Sequence, residues 1–425
     1  MGYIYHMDMP RIAMYVWRFH PFAGGAEKQC RILSGELAKK GIPVFIVTER
    51  IKKTKRFEII DGVEVFRVSS FNWLRNIPYY IKKFLNIFKK AKEKSDALLY
   101  ADAKRGLLKT ISVFLTYTLP NYCFFIASLW VFYKKRRDFD ILHVHEAHWI
   151  AAFGVKIAHM LHKKVIVKEA ISGDVMTFKE QSPFSQNKAM AADIFIAISD
   201  EIFSNLVSIG IDRKRIRKIP NGINIDSSVW QYSSSKERSA VCVSKFNQLP
   251  NKGIDVLLLA WKILAQRHNE QTTLRIYGKG DSHLFKKLAI NLNIERYVSF
   301  SSFKDDARTY LLNSSIFILS SRAEGMSNAL LEAMSLGMPC VATDISGNRD
   351  LIKHGIDGLL APSENPEALA GALLFMLDNP DKAIMMGRNA RKTIEEGYAI
   401  SIIADKYINL YKDLVVKQKV NKCAA

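Results

Sequence analysis

The sequence predicts an α/β protein of two domains, each a doubly wound sheet of mostly parallel strands. Three observations predict it. Short apolar runs alternate with stretches of helical periodicity along most of the 425 residues, the pattern of strand–helix–strand units. The alternation breaks at residues 227–238 (SSVWQYSSSKER), a polar and irregular stretch, and then starts again. The length is also more than one hydrophobic core ordinarily serves. Sheets of this kind bind ligands outside the carboxyl ends of their strands. Two of them facing each other put the expected site in the cleft between.

The elements follow in order. Residues 11–19 read as a buried strand, and Gly24 and Gly25 turn the chain. Residues 26–40 place Ile32, Leu33 and Leu37 at helical spacing, Gly41 ends the helix, and 44–48 is the next strand. Further strands are expected at 63–68, 141–144, 164–168 and 194–197, and 217–220 runs into the turn signal Asn221-Gly222. After the break come a strand at 239–243, a helix at 254–266 and a strand at 274–277 that ends at Gly278. Strands at 316–320 and 339–343 enclose a helix at 328–336 stopped by Gly337. A helix at 367–377 follows Asn365-Pro366, and 400–416 forms a final helix.

Composition narrows the class. Hydrophobic residues make up 48% and charged residues 24%, as in a globular protein. The five cysteines stand singly, with no ligand or redox spacing. That pattern favours a reducing compartment and argues against a disulfide framework and structural zinc. A net charge of +21 calls for an anionic partner: nucleic acid, an acidic membrane face or a phosphorylated substrate. The first apolar stretch lacks a basic front and is interrupted by Asp8, Pro10 and Arg11, so no secretory leader is expected.

Two segments bear on membranes. Residues 110–133 carry no charge and run into Lys134, Lys135, Arg136 and Arg137. They are long enough to cross a bilayer, but Pro120 and Asn121 split them into halves of about 10 residues, which suits buried helices better. Residues 79–94 place Ile81, Phe84, Leu85 and Phe88 on one helical face among six lysines. Such a helix suits either a core with a solvated lysine side or an anionic membrane surface, and the net charge favours the membrane.

The strongest chemical signal is Glu324-Gly325-Met326-Ser327-Asn328, followed by Glu332. Glu324 falls in a strand-to-helix loop and Glu332 lies on the helix after it, eight positions on, a little over two turns at helical spacing. The helix start between them offers unpaired backbone N–H groups and partial positive charge, which suit phosphate. Carboxylates suit sugar hydroxyls, which donate hydrogen bonds. A capped helix with one surface glutamate has the same spacing, so the neighbours must decide.

Residues 320–362 (SSRAEGMSNALLEAMSLGMPCVATDISGNRDLIKHGIDGLLAP) resemble the signature region of retaining glycosyltransferase family 4. FAGGAEKQCRILSGELAKKG at 22–41, DILHVHEAH at 140–148, IPNGIN at 219–224 and VSKFNQLPNKGIDVLLLAW at 243–261 continue the likeness in the expected order. No such motif covers 71–137. The resemblance implies the GT-B fold, two facing Rossmann-like domains, with a C-terminal helix returning to the first. It implies an acceptor-side domain over 1–226, a nucleotide-sugar domain over 227–398 and a returning helix and tail over 399–425.

The resemblance also implies roles. Glu324 would lie against the donor sugar and His145 near the reacting centre, with His143 and His148 as competitors for the histidine role. Glu332 would hold ribose hydroxyls. The backbone of Gly325, Met326, Ser327 and Asn328 would meet sugar and diphosphate. Lys245 and Lys252 would grip the diphosphate. Arginine is commoner in the family at the first of these positions, and lysine is a point charge rather than a fork. Gly24 and Gly25 would let the backbone approach the donor phosphates, although they do not form a G-x-G-x-x-G fingerprint. Gly278, with Gly280, would lie near the base, and Arg322 would reach toward phosphate. Ser301-Ser302 leaves base specificity unread.

The implied activity is retaining hexosyl transfer in cell-surface polysaccharide or glycolipid synthesis. The donor would be a UDP or GDP sugar, and the acceptor a glycan or lipid-linked glycan. No metal and no cofactor are expected, and no nucleic-acid motif is present. The expected location is cytoplasmic, peripheral on the inner face of an anionic membrane. A sugar-nucleotide epimerase, a glycogen-synthase-like polymerase, or a basic membrane or nucleic-acid scaffold with a decayed site are the alternatives.

Overall fold

The computed structural model describes residues 9–22, 24–70, 119–146, 149–169, 189–225, 227–231, 239–246, 251–267, 272–302 and 308–423. The basic helix expected at 79–94, residues 110–118 of the 110–133 stretch, and the end of the polar break at 232–238 lie outside the described residues.

The first sheet grows from β1 (Ile12–Tyr15), four fully buried residues. It pairs in parallel with β2 (Val44–Glu49) on one side and β5 (Ile141–His145) on the other, Ile12 facing both Val44 and Ile141. Beyond β2 lie β4 (Val63–Val68) and β3 (Phe57–Ile60). Beyond β5 lie β6 (Lys164–Glu169), β7 (Ile194–Ala197) and β8 (Ile216–Lys218). Only the β3–β4 pair is antiparallel. The chain therefore leaves β1 in one direction and returns on the other side at β5. That topological switch opens a crevice at the carboxyl ends of these two strands.

The second sheet repeats the plan. Its order is β11-β10-β9-β12-β13-β14, all parallel. These strands are β9 (Ser239–Lys245), β10 (Thr273–Lys279), β11 (Val298–Ser302), β12 (Ile316–Leu319), β13 (Cys340–Thr343) and β14 (Leu359–Ala361). Its switch lies between β9 and β12. Strands buried on both faces read as continuous apolar runs, as β12 (IFIL) does.

Helices cover both sheets. Among the described residues they are α1 (Gly25–Lys39), α2 (Leu119–Lys134), α3 (Trp149–Met160) and α4 (Asp200–Ser208) in the first half. In the second half they are α5 (Ile254–Arg267), α6 (His283–Asn291), α7 (Arg308–Leu312), α8 (Asn328–Ser335) and α9 (Ser346–Arg349). Then come α10 (Pro366–Asp378), α11 (Pro380–Gly397) and α12 (Ile400–Cys423). Between α11 and α12 the chain crosses back, the Ile223 amide donating to the Tyr398 carbonyl and the Ile400 amide to the Ile223 carbonyl. Ile403, Tyr407 and Tyr411 of α12 then pack in one core with Ile12, Met14 and Ile166 of the first sheet and Leu33 and Leu37 of α1. The C-terminal helix returns to the first sheet, as the resemblance implied. Burial of each such aliphatic side chain stabilises the fold by about 1.5–3 kcal/mol.

One local result differs from the sequence reading. β3 and β4 form a hairpin through Asp61 and Gly62, both at positive φ, 52° and 81°. Only the second strand was expected. Pro120 lies in the described part of α2, which runs on unbroken to Lys134, while residues 110–118, ahead of the expected split, lie outside the described residues. No helix among the described residues is long and apolar enough to cross a membrane.

Candidate functional site

The two switch points face each other across a cleft of about 890 Å³. Its walls come from the loop and first turn of α1, the ends of β5 and β6, the end of β9, and the loop that leads into α8.

The second-sheet wall is built around Glu324. Ser327 caps α8 by accepting from the Leu330 amide, which fixes the loop before it. Glu324 then turns inward, and one of its carboxylate oxygens accepts from Lys252 Nζ at 2.5 Å and from the Ser321 hydroxyl at 2.8 Å. Lys245 ends β9 as an exposed residue that also lines the cleft. Gly325, Met326, Ser327, Asn328 and Glu332 complete it.

Two glycines outside the expected set allow this shape. A Cβ on Gly347 would stand 2.3 Å from the Glu324 carbonyl oxygen. Gly253, at φ 57°, would bring a Cβ within 1.9 Å of the Ser320 carbonyl oxygen.

The first-sheet wall joins the second by side-chain ties. Lys28 pairs with Glu332. Gln29 donates to Asn328 Oδ1 at 2.8 Å and to the Gly222 carbonyl at 3.0 Å, and accepts from the Gly222 amide at 3.1 Å. Asn328 in turn donates to the Gly25 carbonyl at 3.3 Å. Gly24 and Gly25 both line the cleft. A Cβ on Gly24 would overlap the Glu27 carboxylate, so the bare backbone leaves room for that side chain.

Behind this wall lies a buried, titratable floor. His145 is 1% exposed, its Nε2 stands 3.3 Å from Met14 Sδ, and its Nδ1 has no hydrogen-bond partner. Burial first, then His143 and Lys168, pull its pKa far below the usual histidine range. His143 stacks on it with ring centroids 4.5 Å apart, yet shares a 2.8 Å hydrogen bond with the Tyr411 hydroxyl on the side of α12. Its burial lowers its pKa to about 3. His143 is therefore a neutral scaffold residue, and of the two only His145 lines the cleft. His148 lies outside the described residues.

Glu146 adopts φ 80° and also lines the cleft. Burial, then repulsion from Glu27 and Glu169, raises its pKa to about 8. Burial likewise raises Glu27. Lys168 is 3% exposed, and burial lowers its pKa to about 8. Asn221 Oδ1 is buried without a hydrogen-bond partner on the same side.

Gathered on the cleft are Gly24, Gly25, His145, Lys245, Lys252, Glu324, Gly325, Met326, Ser327, Asn328 and Glu332. Gly278 is not. A Cβ there would meet the Phe246 ring at 2.7 Å, so its smallness serves packing, and Lys279 reaches the cleft in its place. Arg322 does not reach toward the cleft either. It forks onto Asp255 at 2.8 and 2.7 Å and pairs with Glu364. Sequence reasoning missed Glu27, Lys28, Gln29, Glu146, Lys168 and Asn221. The first three follow Gly24-Gly25 directly, so the first turn of α1 was there to be read. Among the described residues no cluster of histidine, cysteine and carboxylate side chains has the form of a metal site.

Comparison with known proteins agrees with this architecture. Residues 230–393 match the family described as glycosyl transferases group 1, and 93–227 match glycosyltransferase family 4. Together they cover well over half of the chain. N-acetyl-alpha-D-glucosaminyl L-malate synthase of Bacillus anthracis is 25% identical over 331 residues, 74% of this chain and 85% of that one. A UDP-Gal:alpha-D-GlcNAc-diphosphoundecaprenol alpha-1,3-galactosyltransferase of Escherichia coli is 28% identical over 222 residues, 49% of this chain and 57% of that one. The crystal structure of HepE from Anabaena in complex with UDP superposes with a TM-score of 0.68 at 14% identity, over 95% of this chain and 100% of that one. Two facing parallel sheets, a returning C-terminal helix and both family matches lead to one conclusion: the chain belongs to the group 1 glycosyltransferases of family 4, with the GT-B fold.

Proposed function

We propose that this glycosyltransferase moves a sugar from a nucleoside diphosphate sugar to a glycan or lipid-linked acceptor, with retention at the anomeric carbon, in cell-surface polysaccharide or glycolipid synthesis. The observation that carries it is the convergence of Lys245, Lys252 and the start of α8 with Glu324 and Glu332 on one wall of the cleft. Cleavage of the donor builds negative charge on the leaving diphosphate. Two lysines and a helix N-terminus aimed at that charge stabilise the transition state. Glu324, anchored by Lys252 and Ser321, is placed to accept hydrogen bonds from donor-sugar hydroxyls. His145, neutral in its buried setting, lines the cleft beside the reacting centre. The leaving phosphate takes the acceptor proton, and Glu324 acts by positioning rather than as a covalent nucleophile.

Residues 1–226 serve the acceptor and 227–398 the donor, with 399–425 completing the first domain. The protein works without metal or cofactor, from the cytoplasmic side, peripheral to an anionic membrane. HepE, whose fold this chain shares, was crystallised with UDP, and the Escherichia coli relative is named for a diphosphoundecaprenol acceptor. A thermal-shift panel of nucleotides and nucleotide sugars tests the donor class, since a ligand of the native state raises apparent stability. Product analysis with a labelled donor then separates transfer from epimerisation and shows the anomeric outcome. No shift with any nucleoside diphosphate or its sugars would reject the reading.

A further inference from the structure

α2 is apolar on all sides, yet only part of it is covered. From Leu119 to Tyr133 it carries no charged side chain. Phe124, Phe125, Ser128 and Phe132 are buried against the first sheet's core. On the other side Tyr122, Ile126, Trp130 and Tyr133 are 49%, 63%, 59% and 48% exposed. At about 100° per residue these four fall within an arc of roughly 80° and form a stripe about 16 Å long. A helix apolar all round belongs inside a core or in lipid, and this face has neither among the described residues.

The end of the stripe is cationic. Lys134 lies 4.8 Å over the Trp130 ring, and the Arg136 guanidinium lies 4.4 Å over Tyr133. Arg137 is exposed next to them. The nearest carboxylates, Glu64 and Asp138, are held by Lys135 at 3.2 and 3.3 Å. Aromatic and aliphatic side chains beside outward-facing cations are the pattern of a helix that lies in a bilayer interface, aromatics at headgroup depth and cations on anionic lipid. The stripe is too short to cross a bilayer. A second copy would bring like cations together on a chain already at +21.

We infer that the exposed face of α2 is a docking surface for an anionic lipid bilayer, against which the helix lies flat. This deepens the membrane reading above by naming the surface. Its test uses vesicles with neither donor nor acceptor, so that the docking surface and the transferase reading can fail separately.

The test is flotation of the full-length protein with vesicles of phosphatidylcholine, with and without phosphatidylglycerol. The wild type should float with the anionic vesicles and lose binding as salt rises. K134Q/R137Q should bind about twenty-five-fold more weakly, from about fivefold per lost cation. I126S/W130S should bind at least about tenfold more weakly through lost apolar burial. Both variants change exposed positions, so the unfolding temperature should hold. If either variant fails to fold, brominated lipid decides: it should quench wild-type tryptophan fluorescence and quench W130F much less. No flotation of the wild type, or undiminished binding by both folded variants, would overturn the inference. So would self-association of the wild type that I126S/W130S abolishes without any lipid binding.

Discussion

Lys252 Nζ and Glu324 Oε1 lie 2.5 Å apart on the wall of the cleft, joining the loop after β9 to the loop before α8. Neither side chain is more than 20% exposed. The pair holds a cation where a leaving diphosphate would sit and a carboxylate where its sugar would sit. Lys252→Ala should lower kcat/KM by about 10²–10³-fold, the usual cost of removing one preorganised charge partner. Glu324→Gln should lower kcat in the same range. Steady-state kinetics with the donor found by thermal shift, beside thermal unfolding of each variant, checks this. Near-normal turnover in both folded variants would reject the assignment.

Gly347 is a strict steric requirement. An added Cβ would stand 2.3 Å and 2.7 Å from the Glu324 and Gly325 carbonyl oxygens. Gly347→Ala should destabilise the protein by about 1–3 kcal/mol, as overpacking does. It should also weaken donor binding, because the loop that must shift carries Glu324. Chemical denaturation and nucleotide titration measure the two effects. An unchanged midpoint would show that the loop gives way freely.

The ties across the cleft separate stability from binding. Gln29 is 3% exposed and makes three hydrogen bonds to Gly222 and Asn328, so Gln29→Ala should cost about 1–3 kcal/mol. Lys28 is 43% exposed on its side chain, and its ion pair with Glu332 is worth at most about 1 kcal/mol. Lys28→Ala should therefore leave the unfolding midpoint nearly unchanged. It should also tighten nucleoside diphosphate binding, because Glu332 is released to accept ribose hydroxyls. Weaker binding in Lys28→Ala would instead make Lys28 a donor contact.

Glu146 sets a pH dependence. Its folded-state pKa of about 8 stands above the ordinary glutamate value, raised by burial and by Glu27 and Glu169. The folded state then holds more protons than the unfolded state between about pH 4.5 and 8. Stability from this group is fully present at the acid end of that window and is lost as pH rises through it. Glu146→Gln keeps the neutral form. Its stability relative to wild type should rise from pH 5 to pH 8 in parallel denaturation series. A constant difference would place Glu146 in a more solvated setting.

Much of the fold was legible because parallel sheets write themselves as apolar runs. Val63–Val68 and Ile194–Ala197 were read to the residue, and the helix expected at 254–266 starts where it was expected, at Ile254. β3 was missed although its signal, Asp61-Gly62 between apolar alternations, is a strong short-range hairpin mark. In the site, Glu324, Lys252 and His145 came from resemblance rather than from spacing. The Lys28–Glu332 pair joins residues 304 positions apart, and no local pattern encodes such a meeting. Gly278 was placed near the base by the resemblance, whereas the space its Cβ would take is filled by the Phe246 ring.

The most direct measurement is a crystal structure of the protein with a nucleoside diphosphate bound. The diphosphate should lie against Lys245, Lys252 and the amides that open α8, with ribose hydroxyls on Glu332 in place of Lys28. A diphosphate bound outside the cleft, or one in the cleft with Lys252 still on Glu324 and turned away from phosphate, would contradict the proposed donor site.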